Sequence, residues 1–382
     1  MTGTFFEEQA RALMKRGIKT GVFFPDIDMQ FNSRLKNKRV RQPKDFLDHG
    51  LPTFYHFVVS IIPRSRLLNY WYLCYSASVK FKKYIRLHGK PDILHAHCIF
   101  NAGIVARYLS WKFSIPYVVT EHYTGLIIEQ GFSVGVRRKL IRNVYEDSRH
   151  NIIVSTAFAA DMERVYRLAK NVFEVIPNMV DSSFFVPPRV RSGQPDKVLF
   201  TNSFLMRKKN HFLLLRAFEL VLKQRPNVTL VIGGDGPLST ELHEFSRRLG
   251  IENNVTFLGE LGRHEVKKQL DACDMFVSSS KYETFGVAII EALASGKPVV
   301  ATDSGGPRDI ITSGDGILVK DHKPEEFAAA IVYVIDHPQS YDDEDIRKRC
   351  YDRFREEEVI NRLLTIYHNT GQGINSELGG NH

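Results

Sequence analysis

Two glutamates, Glu283 and Glu291, enclose the string Glu-Thr-Phe-Gly-Val-Ala-Ile-Ile-Glu and are the side chains best placed to do chemistry. The apolar run at 274–280 predicts a buried strand before them, and 299–303 predicts a second strand after them. The residues between indicate a helix that begins near Gly286. Strand, loop, helix and strand in this order predict a parallel crossover unit, whose ligands bind at the carboxyl ends of the strands.

The predicted helix begins at this ligand edge, so its first turn can bind an anion. The amides of Phe285, Gly286 and Val287 lack partners within the helix and carry positive partial charge, and the glycine allows close approach. Glu291 lies about 7.5 Å further along the axis at ~1.5 Å per residue, a suitable offset for a carboxylate that binds a ribose. Glu283, in the loop, would face whatever hangs beyond the phosphates. We therefore predict a nucleotide-sugar ligand.

Length and charge limit the classes of protein that fit. With 382 residues, the chain is expected to form two domains, and 43% hydrophobic with 25% charged residues is typical of globular proteins. The whole chain has a formal net charge of +9. Residues 1–190 alone hold 28 Lys and Arg against 15 Asp and Glu, so the positive charge is concentrated in this half. This basic half indicates an anionic partner, either a lipid surface or a phosphate-bearing acceptor. No nucleic-acid-binding module is recognisable, so nucleic acid is not expected as a partner.

The cysteines at 74, 98, 273 and 350 are scattered and predict neither a disulfide framework nor a metal site. No apolar run approaches the ~20 residues that span a bilayer, and the first residues do not resemble a signal peptide. We expect a cytoplasmic protein that can associate peripherally with the inner face of the plasma membrane. Residues 64–86 mix aromatics with basic ends, which fits a helix resting on that face or a core helix whose charged ends snorkel.

Two series of alternating helices and strands follow one another. Thr4 and Glu7 form a capping box that opens a helix through Lys15, and Gly17 closes that helix. The predicted strands are 21–24, 93–96, 117–120, 151–155, 172–176, 197–201, 227–233, 255–258, 275–278 and 298–302. The fold class is therefore α/β, with two Rossmann-like doubly wound domains facing across a cleft.

The predicted boundaries are an amino-terminal acceptor-side domain at 1–184, a linker at 185–195 and a nucleotide-sugar-binding domain at 196–350. A helix at 351–370 is expected to pack back on the first domain, before a disordered tail at 371–382. The chain opens on a helix, whereas doubly wound domains usually open with a strand. We interpret this as a missing opening strand, with Gly3 as its remnant. A domain built on fewer strands is the alternative.

The continuous string at 283–306 resembles retaining glycosyltransferases of family four, which have the GT-B fold. Residues 175–181, 233–237, 255–259 and 314–319 also match that family's pattern, and the likeness runs from about Gly3 to the final helix. The resemblance implies that Glu291 binds ribose hydroxyls and that Glu283 contacts the donor sugar. His122 stands where the family often has a histidine near that sugar. A packed histidine at a strand end is the alternative, and we favour that reading for His95 and His97.

The resemblance also assigns the phosphate-binding groups. The amides of residues 285–287 would hold the diphosphate, and Lys209 matches the lysine that neutralises it. The family usually has an arginine shortly before this lysine, but 201–204 contains none, so Arg207 or Lys208 would supply the second cation. Gly236 lies in a turn at 234–237 and is expected to contact the donor. A solvated basic turn is the alternative interpretation of 207–209.

Membership of this family implies transfer of a hexose from a nucleoside-diphosphate sugar to an acceptor hydroxyl, with retention of anomeric configuration. A glycan or lipid-linked acceptor and a role in capsule, lipopolysaccharide or other cell-surface glycan synthesis are implied. We expect neither a metal nor a cofactor, since the nucleotide-sugar is a substrate. A non-catalytic protein that binds sugar nucleotides or glycans on the same fold is the alternative.

Overall fold

The computed structural model describes residues 4–28, 45–48, 50–60, 65–129, 135–187 and 197–377. The chain divides into two compact units. The first comprises Met1–Val154, Ala159–Ile176 and Ile360–His382, and the second comprises Ser155–Phe158 and Pro177–Val359. The change between units thus falls near Pro177, ahead of the predicted linker, whose residues 188–195 lie outside the described parts.

The described part of the first unit begins with a helix; residues 1–3, including the predicted remnant Gly3, lie outside it. Its strands are β1 (Val22–Asp28), β2 (Phe46–Asp48), β3 (Leu51–Val59), β4 (Leu94–His97), β5 (Tyr117–Glu121), β6 (His150–Ile153) and β7 (Phe173–Val175). Its helices are α1 (Thr4–Lys15), α2 (Arg66–His88), α3 (Ile104–Phe113), α4 (Gly125–Ile128), α5 (Gly135–Glu146) and α6 (Thr156–Tyr166), the last of which begins in the second unit.

These strands form two sheets. One has the order β1-β3-β2, in which β2 is antiparallel to β3, and the other is fully parallel with the order β4-β5-β6-β7. In the parallel sheet, His97 at the end of β4 pairs with Thr120, and Glu121 pairs with Ile153. Strands β5 and β6 are almost wholly buried, as expected for a parallel sheet covered by helices on both faces. The register brings the carboxyl ends of β4 and β5 side by side.

The second unit contains one six-stranded sheet. Its strands are β8 (Lys197–Asn202), β9 (Val228–Gly233), β10 (Val255–Gly259), β11 (Met275–Ser278), β12 (Val299–Thr302) and β13 (Gly316–Val319). Its helices are α7 (His211–Gln224), α8 (Ser239–Arg248), α9 (Arg263–Ala272), α10 (Val287–Ala294), α11 (Pro324–Asp336) and α12 (Asp343–Phe354). All strand pairs are parallel, in the order β10-β9-β8-β11-β12-β13.

The core of the second unit lies on both faces of this sheet. Phe200 on β8, Phe276 on β11 and Phe218 on α7 are fully buried or nearly so. Each such side chain contributes roughly 1.5–3 kcal/mol when it leaves water. The strands are therefore short apolar runs, and the polar groups of the unit collect in the loops at their ends.

The last helix, α13, spans Glu356–Glu377, and the chain from Ile360 onward belongs to the first unit. Arg362 donates to the carbonyl oxygen of Val175, and Tyr367 meets His95. The tail was predicted to be disordered from residue 371, but the helix extends through Glu377. Residues 378–382 lie outside the described residues.

Two strands of the first unit are absent from the prediction. They are β2 and β3, and β1 also runs on to Asp28 where the predicted strand ends at Phe24. The prediction fails at prolines: Pro25 lies within β1 and Pro52 within β3. Proline is tolerated at strand starts and on edge strands, so it does not mark the strand end there.

Candidate functional site

The sheet of the second unit reverses its strand order beside β8. From this strand β9 and β10 extend to one side, while β11, β12 and β13 extend to the other. Such a reversal leaves a crevice at the carboxyl ends of the two strands that flank it, which is where open α/β sheets bind ligands. The flanking strands are β8 and β11, so the segments that follow them, 203–210 and 279–286, are the ones that meet there.

Lys209 and Glu283 meet at this reversal, although 73 residues separate them in sequence. The ammonium group of Lys209 pairs with Oε1 of Glu283, which also accepts a hydrogen bond from Oγ of Ser280 at 2.8 Å. Both side chains are largely buried, with exposed fractions of 19% and 14%. This largely buried ion pair holds both charges in place, and its remaining exposed surface lets a ligand reach them.

Backbone contacts fix the positions of these two side chains. Oγ of Ser279 donates to the carbonyl oxygen of Lys209 at 3.0 Å. The amide of Lys281 donates to the carbonyl oxygen of Lys208 at 2.8 Å. The amide of Glu283 donates to the carbonyl oxygen of Ser304 at 2.8 Å. The loop after β11 is therefore tied to the loops after β8 and β12.

Helix α10 begins directly after this loop. Gly286, with φ of +122°, precedes its first residue, Val287, and this backbone conformation favours glycine. Phe285 is buried and its ring packs edge-on against Phe354, with 5.9 Å between ring centroids. Its side chain therefore anchors the loop directly before the amides of Gly286 and Val287, which open the helix without an intrahelical partner. A side chain on Gly306 would overlap the Phe285 backbone, so this approach requires glycine.

The remaining predicted donor-binding residues lie around the same loops. Glu291 is in the second turn of α10 and is partly exposed. Arg207 is exposed on the single 3-10 turn that ends at Lys209, so it lies beside the proposed phosphate lysine. Gly236 follows β9, and its amide donates to Oδ1 of Asp235 at 2.7 Å. A Cβ on Gly236 would lie 2.6 Å from the carbonyl oxygen of Leu205, so this turn packs tightly on the loop after β8.

His122 lies in the first unit, directly after β5. Its Nε2 is 3.4 Å from Nδ1 of His97, and Phe6 on α1 packs against both rings at 5.1 and 4.8 Å between centroids. His95 and His97 both lie on β4, which extends one residue beyond the predicted strand end at residue 96. Both nitrogens of His95 are engaged, by Tyr367 at 2.5 Å and Thr120 at 2.6 Å, which is the packed arrangement favoured for this residue.

Burial keeps these histidines neutral. It lowers the pKa of His97 to about 4 and holds the pKa of His122 well below its usual value, with a further lowering by the neighbouring His97. A hydrogen bond between two neutral imidazoles needs one nitrogen to carry the proton and the other to accept it. The pair can therefore offer a neutral donor or acceptor to a hydroxyl group, rather than a positive charge.

A buried carboxylate, Glu121, organises the turns on both sides of these histidines and is absent from the predicted site. Its Oε1 accepts hydrogen bonds from the amides of His122 at 2.9 Å and Tyr123 at 2.8 Å. Its Oε2 accepts from the amide of Ile99 at 2.9 Å and the hydroxyl of Tyr145 at 3.0 Å. Burial raises the pKa of Glu121, and these donors oppose that rise. Ser280 is likewise missed, since an isolated serine in sequence carries no signal.

Two family profiles cover most of the chain. The profile described as Glycosyltransferase Family 4 matches residues 2–184, and the profile described as Glycosyl transferases group 1 matches residues 186–355. The chain belongs to glycosyltransferase family four. Its resemblance to that family is thereby confirmed.

This family-four glycosyltransferase has relatives of modest identity. The alpha-monoglucosyldiacylglycerol synthase of Streptococcus pneumoniae is 28% identical over 227 residues, which is 55% of this chain and 51% of that protein. The chain thus spans about half the length of that relative. The D-inositol 3-phosphate glycosyltransferase of Paenarthrobacter aurescens is 27% identical over 365 residues, 87% of this chain and 84% of that protein.

Solved structures share the fold. Sucrose-phosphate synthase from Thermosynechococcus elongatus aligns with a TM-score of 0.76 and 19% identity, over 97% of this chain and 93% of that one. HepE of Anabaena, in complex with UDP-glucose, aligns with a TM-score of 0.63 and 22% identity, over 86% of this chain and 87% of that one. The predicted fold class, GT-B with Rossmann-like domains, is confirmed.

Proposed function

We propose that this glycosyltransferase moves a hexose from a nucleoside diphosphate to a hydroxyl group of a glycan or lipid-linked acceptor, with retention of anomeric configuration. The Lys209–Glu283 pair at the strand-order reversal carries the proposal. It joins a cation suited to a diphosphate with a carboxylate suited to sugar hydroxyls, beside the first turn of α10. The crystallised HepE complex with UDP-glucose supports a nucleotide-sugar as the ligand of this fold.

Donor binding is proposed to exchange the partners of this pair. The diphosphate would take Lys209 and the amides of Phe285, Gly286 and Val287, while Glu291 accepts hydrogen bonds from the ribose. Glu283, released from the lysine, would then hold the donor sugar. Arg207 and Gly236 are proposed to complete the phosphate side, since both lie in loops beside the one that carries Lys209.

The proposed reaction breaks the bond between the sugar C1 and the phosphate oxygen, and the electron pair leaves with the diphosphate. The acceptor oxygen forms the new bond on the same face of C1, and its proton passes to the departing phosphate. Lys209 and the helix amides stabilise the negative charge where it accumulates, which is preorganised electrostatic catalysis. Neutral His122 is proposed to hold a hydroxyl of the reacting sugar. Neither a metal nor a cofactor takes part in this scheme.

The biological setting is proposed from the name of one relative. The alpha-monoglucosyldiacylglycerol synthase relative is named for a glycolipid product, which supports a lipid-linked acceptor. A cytoplasmic role in cell-surface glycan synthesis is proposed with it. Among the residues that the structure describes, no helix is long and apolar enough to cross a membrane.

The test combines donor binding with turnover. Thermal unfolding with UDP-, GDP- and ADP-sugars identifies the donor, because a ligand that binds only the folded state raises the melting temperature. Nucleotide release is then measured with a panel of glycan and lipid-linked acceptors. We expect Lys209→Met and Glu283→Gln each to lower kcat/KM by about 10²–10³, the usual effect of removing one group that stabilises the transition state.

A matched pair of controls lies on α7 of the same unit. Lys223 and Glu219 form an exposed ion pair, so Lys223→Met and Glu219→Gln should leave both donor binding and turnover at the wild-type level. Donor binding without transfer to any acceptor would favour the non-catalytic alternative. Wild-type turnover in Lys209→Met and Glu283→Gln would refute the proposed site.

A further inference from the structure

The solvent-facing side of α2 carries apolar and aromatic side chains where a surface helix normally has polar ones. Leu67, Leu68, Trp71, Tyr75 and Val79 recur about every four residues and are all exposed, Trp71 to 61%. The opposite side of the helix is buried against the first unit. The sequence alone does not decide between a core helix and a surface helix, and in the structure α2 buries one side and exposes the other.

A second tryptophan extends this apolar surface. Trp111 on α3 is 78% exposed, and it lines a groove of about 530 Å³ together with Leu67 and Trp71. Lys112 bridges the two helices: its ammonium group donates to Oγ of Ser78 at 2.8 Å and lies 5.4 Å from the ring centroid of Tyr75. Contiguous apolar surface of this kind marks an interaction site or a membrane-binding face.

Positive charge surrounds this surface. Residues 49–91 contain seven Lys and Arg and neither Asp nor Glu, and the last two turns of α2 expose Lys82, Lys83 and Arg86. Lys83 pairs with Asp45. Helix α5 adds a second basic stretch at 137–142. On the groove itself, the carboxylate of Asp147 is neutralised by Arg107 at 2.5 Å. The net field over this face is therefore positive.

We propose that this aromatic-basic face, formed by the exposed residues of α2 with Trp111, docks on an anionic lipid bilayer. Trp and Tyr rings place an apolar body and a polar edge at the level of lipid headgroups, and cations beside them pair with lipid phosphates. Helix α2 is about 35 Å long, so it can lie along a membrane plane with its apolar first turns and its cationic last turns both in contact.

Charge decides against a second copy of this chain as the occupant. A symmetric dimer brings together two copies of the same face, and two faces with the same net positive charge repel each other. An anionic bilayer offers the complementary charge over the whole face. This inference goes beyond the proposed reaction and does not depend on it, since it concerns no residue of the donor site.

The tryptophans make the test direct. The sequence holds only Trp71 and Trp111, so the intrinsic tryptophan emission of the full chain reports this face alone. Vesicles of phosphatidylcholine mixed with phosphatidylglycerol should shift the emission to shorter wavelength, and brominated acyl chains in the same vesicles should quench it. Vesicles of phosphatidylcholine alone, or anionic vesicles at high ionic strength, should bind at least tenfold more weakly.

Variants separate the two contributions. Lys82→Glu and Trp71→Ser are each expected to weaken partition onto anionic vesicles about tenfold or more, as measured by co-sedimentation. Lys268→Glu and Tyr333→Ser, at exposed positions of the second unit, are the matched controls and should partition as the wild type does. An unchanged melting temperature would show that the Trp71 and Lys82 variants are folded.

Several results would overturn the proposal. It fails if anionic vesicles neither shift nor quench the emission, or if Lys82→Glu and Trp71→Ser partition like the controls. It also fails if the chain instead dimerises in solution through this face, which Trp71→Ser would then abolish without any vesicle binding. Because no donor or acceptor is present, none of these outcomes bears on the proposed sugar transfer.

Discussion

Replacing Glu121 by glutamine tests how the histidine turn of the first unit is held. The carboxylate has no exposed surface and accepts four hydrogen bonds, three from backbone amides and one from the hydroxyl of Tyr145. Glutamine keeps the shape of the side chain but replaces one acceptor oxygen with an NH2 group. All four partners are donors, so this NH2 group must face two of them.

The less costly orientation places the NH2 group at the Oε2 position. There the hydroxyl of Tyr145 can rotate to accept, but the amide of Ile99 is left unsatisfied, at about 1–3 kcal/mol. The other bonds weaken by about 0.5–1 kcal/mol each, because the acceptor is no longer charged. Relief from burying a charge offsets part of this sum. We expect a net loss of roughly 2–4 kcal/mol in the free energy of unfolding.

A loss of this size corresponds to a melting temperature lower by roughly 5–10 °C. Circular dichroism on heating measures it, and hydrogen exchange should show faster exchange of the amides of Ile99, His122 and Tyr123. Glu129→Gln is the matched control, since its carboxylate is exposed and accepts a hydrogen bond from the hydroxyl of Tyr123 at 2.6 Å. A melting temperature within 1–2 °C of the wild type, with unchanged exchange, would refute the reasoning.

Acid should destabilise the first unit through His97, whose folded pKa of about 4 lies below the ~6.5 of an unfolded chain. This contribution to the free energy of unfolding, about 3 kcal/mol, is complete above about pH 6.5 and is lost as pH falls toward 4. The raised pKa of Glu121 changes stability in the opposite direction. Urea unfolding at a series of pH values should therefore show a flatter pH dependence for His97→Gln than for the wild type, and the difference measures the contribution of His97. Gly234→Ala should prevent stable folding of the second unit or lower its melting temperature by more than 10 °C, because φ is +112° and a Cβ would overlap the carbonyl of Ser203. Gly250→Ala, with φ of +67° and open space around it, should cost only about 1 kcal/mol, and equal losses in the two variants would contradict the steric argument.

Much of the second unit could be predicted from sequence. Its strands lie within two residues of the predicted bounds, and β11 matches its prediction at both ends. Strands of a parallel sheet are buried on both faces and therefore read as continuous apolar runs. Strand β13 is the exception: residues 314–319 match the family's pattern, but no strand is predicted there. The glycine before α10 was also predictable, because its turn needs a positive φ.

The first unit was harder to predict, for physical reasons that differ from residue to residue. Strand β3 alternates irregularly and contains Pro52 and His56, so it lacks the pattern of a buried strand. Glu121 looks like an ordinary polar residue after an apolar run. Its importance comes from Ile99 and Tyr145, 22 and 24 residues away, which donate to it only once the strands are paired.

The sequence by itself determined the chemistry that is available: a glycine-led helix start, two glutamates eight positions apart, a basic turn at 207–209 and an acid-free aromatic helix. Only the tertiary structure decided which of these groups act together. Lys209 reaches Glu283 because β8 pairs with β11, a neighbour relation that no local pattern encodes. Burial likewise decided that the aromatic side of α2 faces solvent, since the same apolar spacing serves a core or a surface until the other elements have packed.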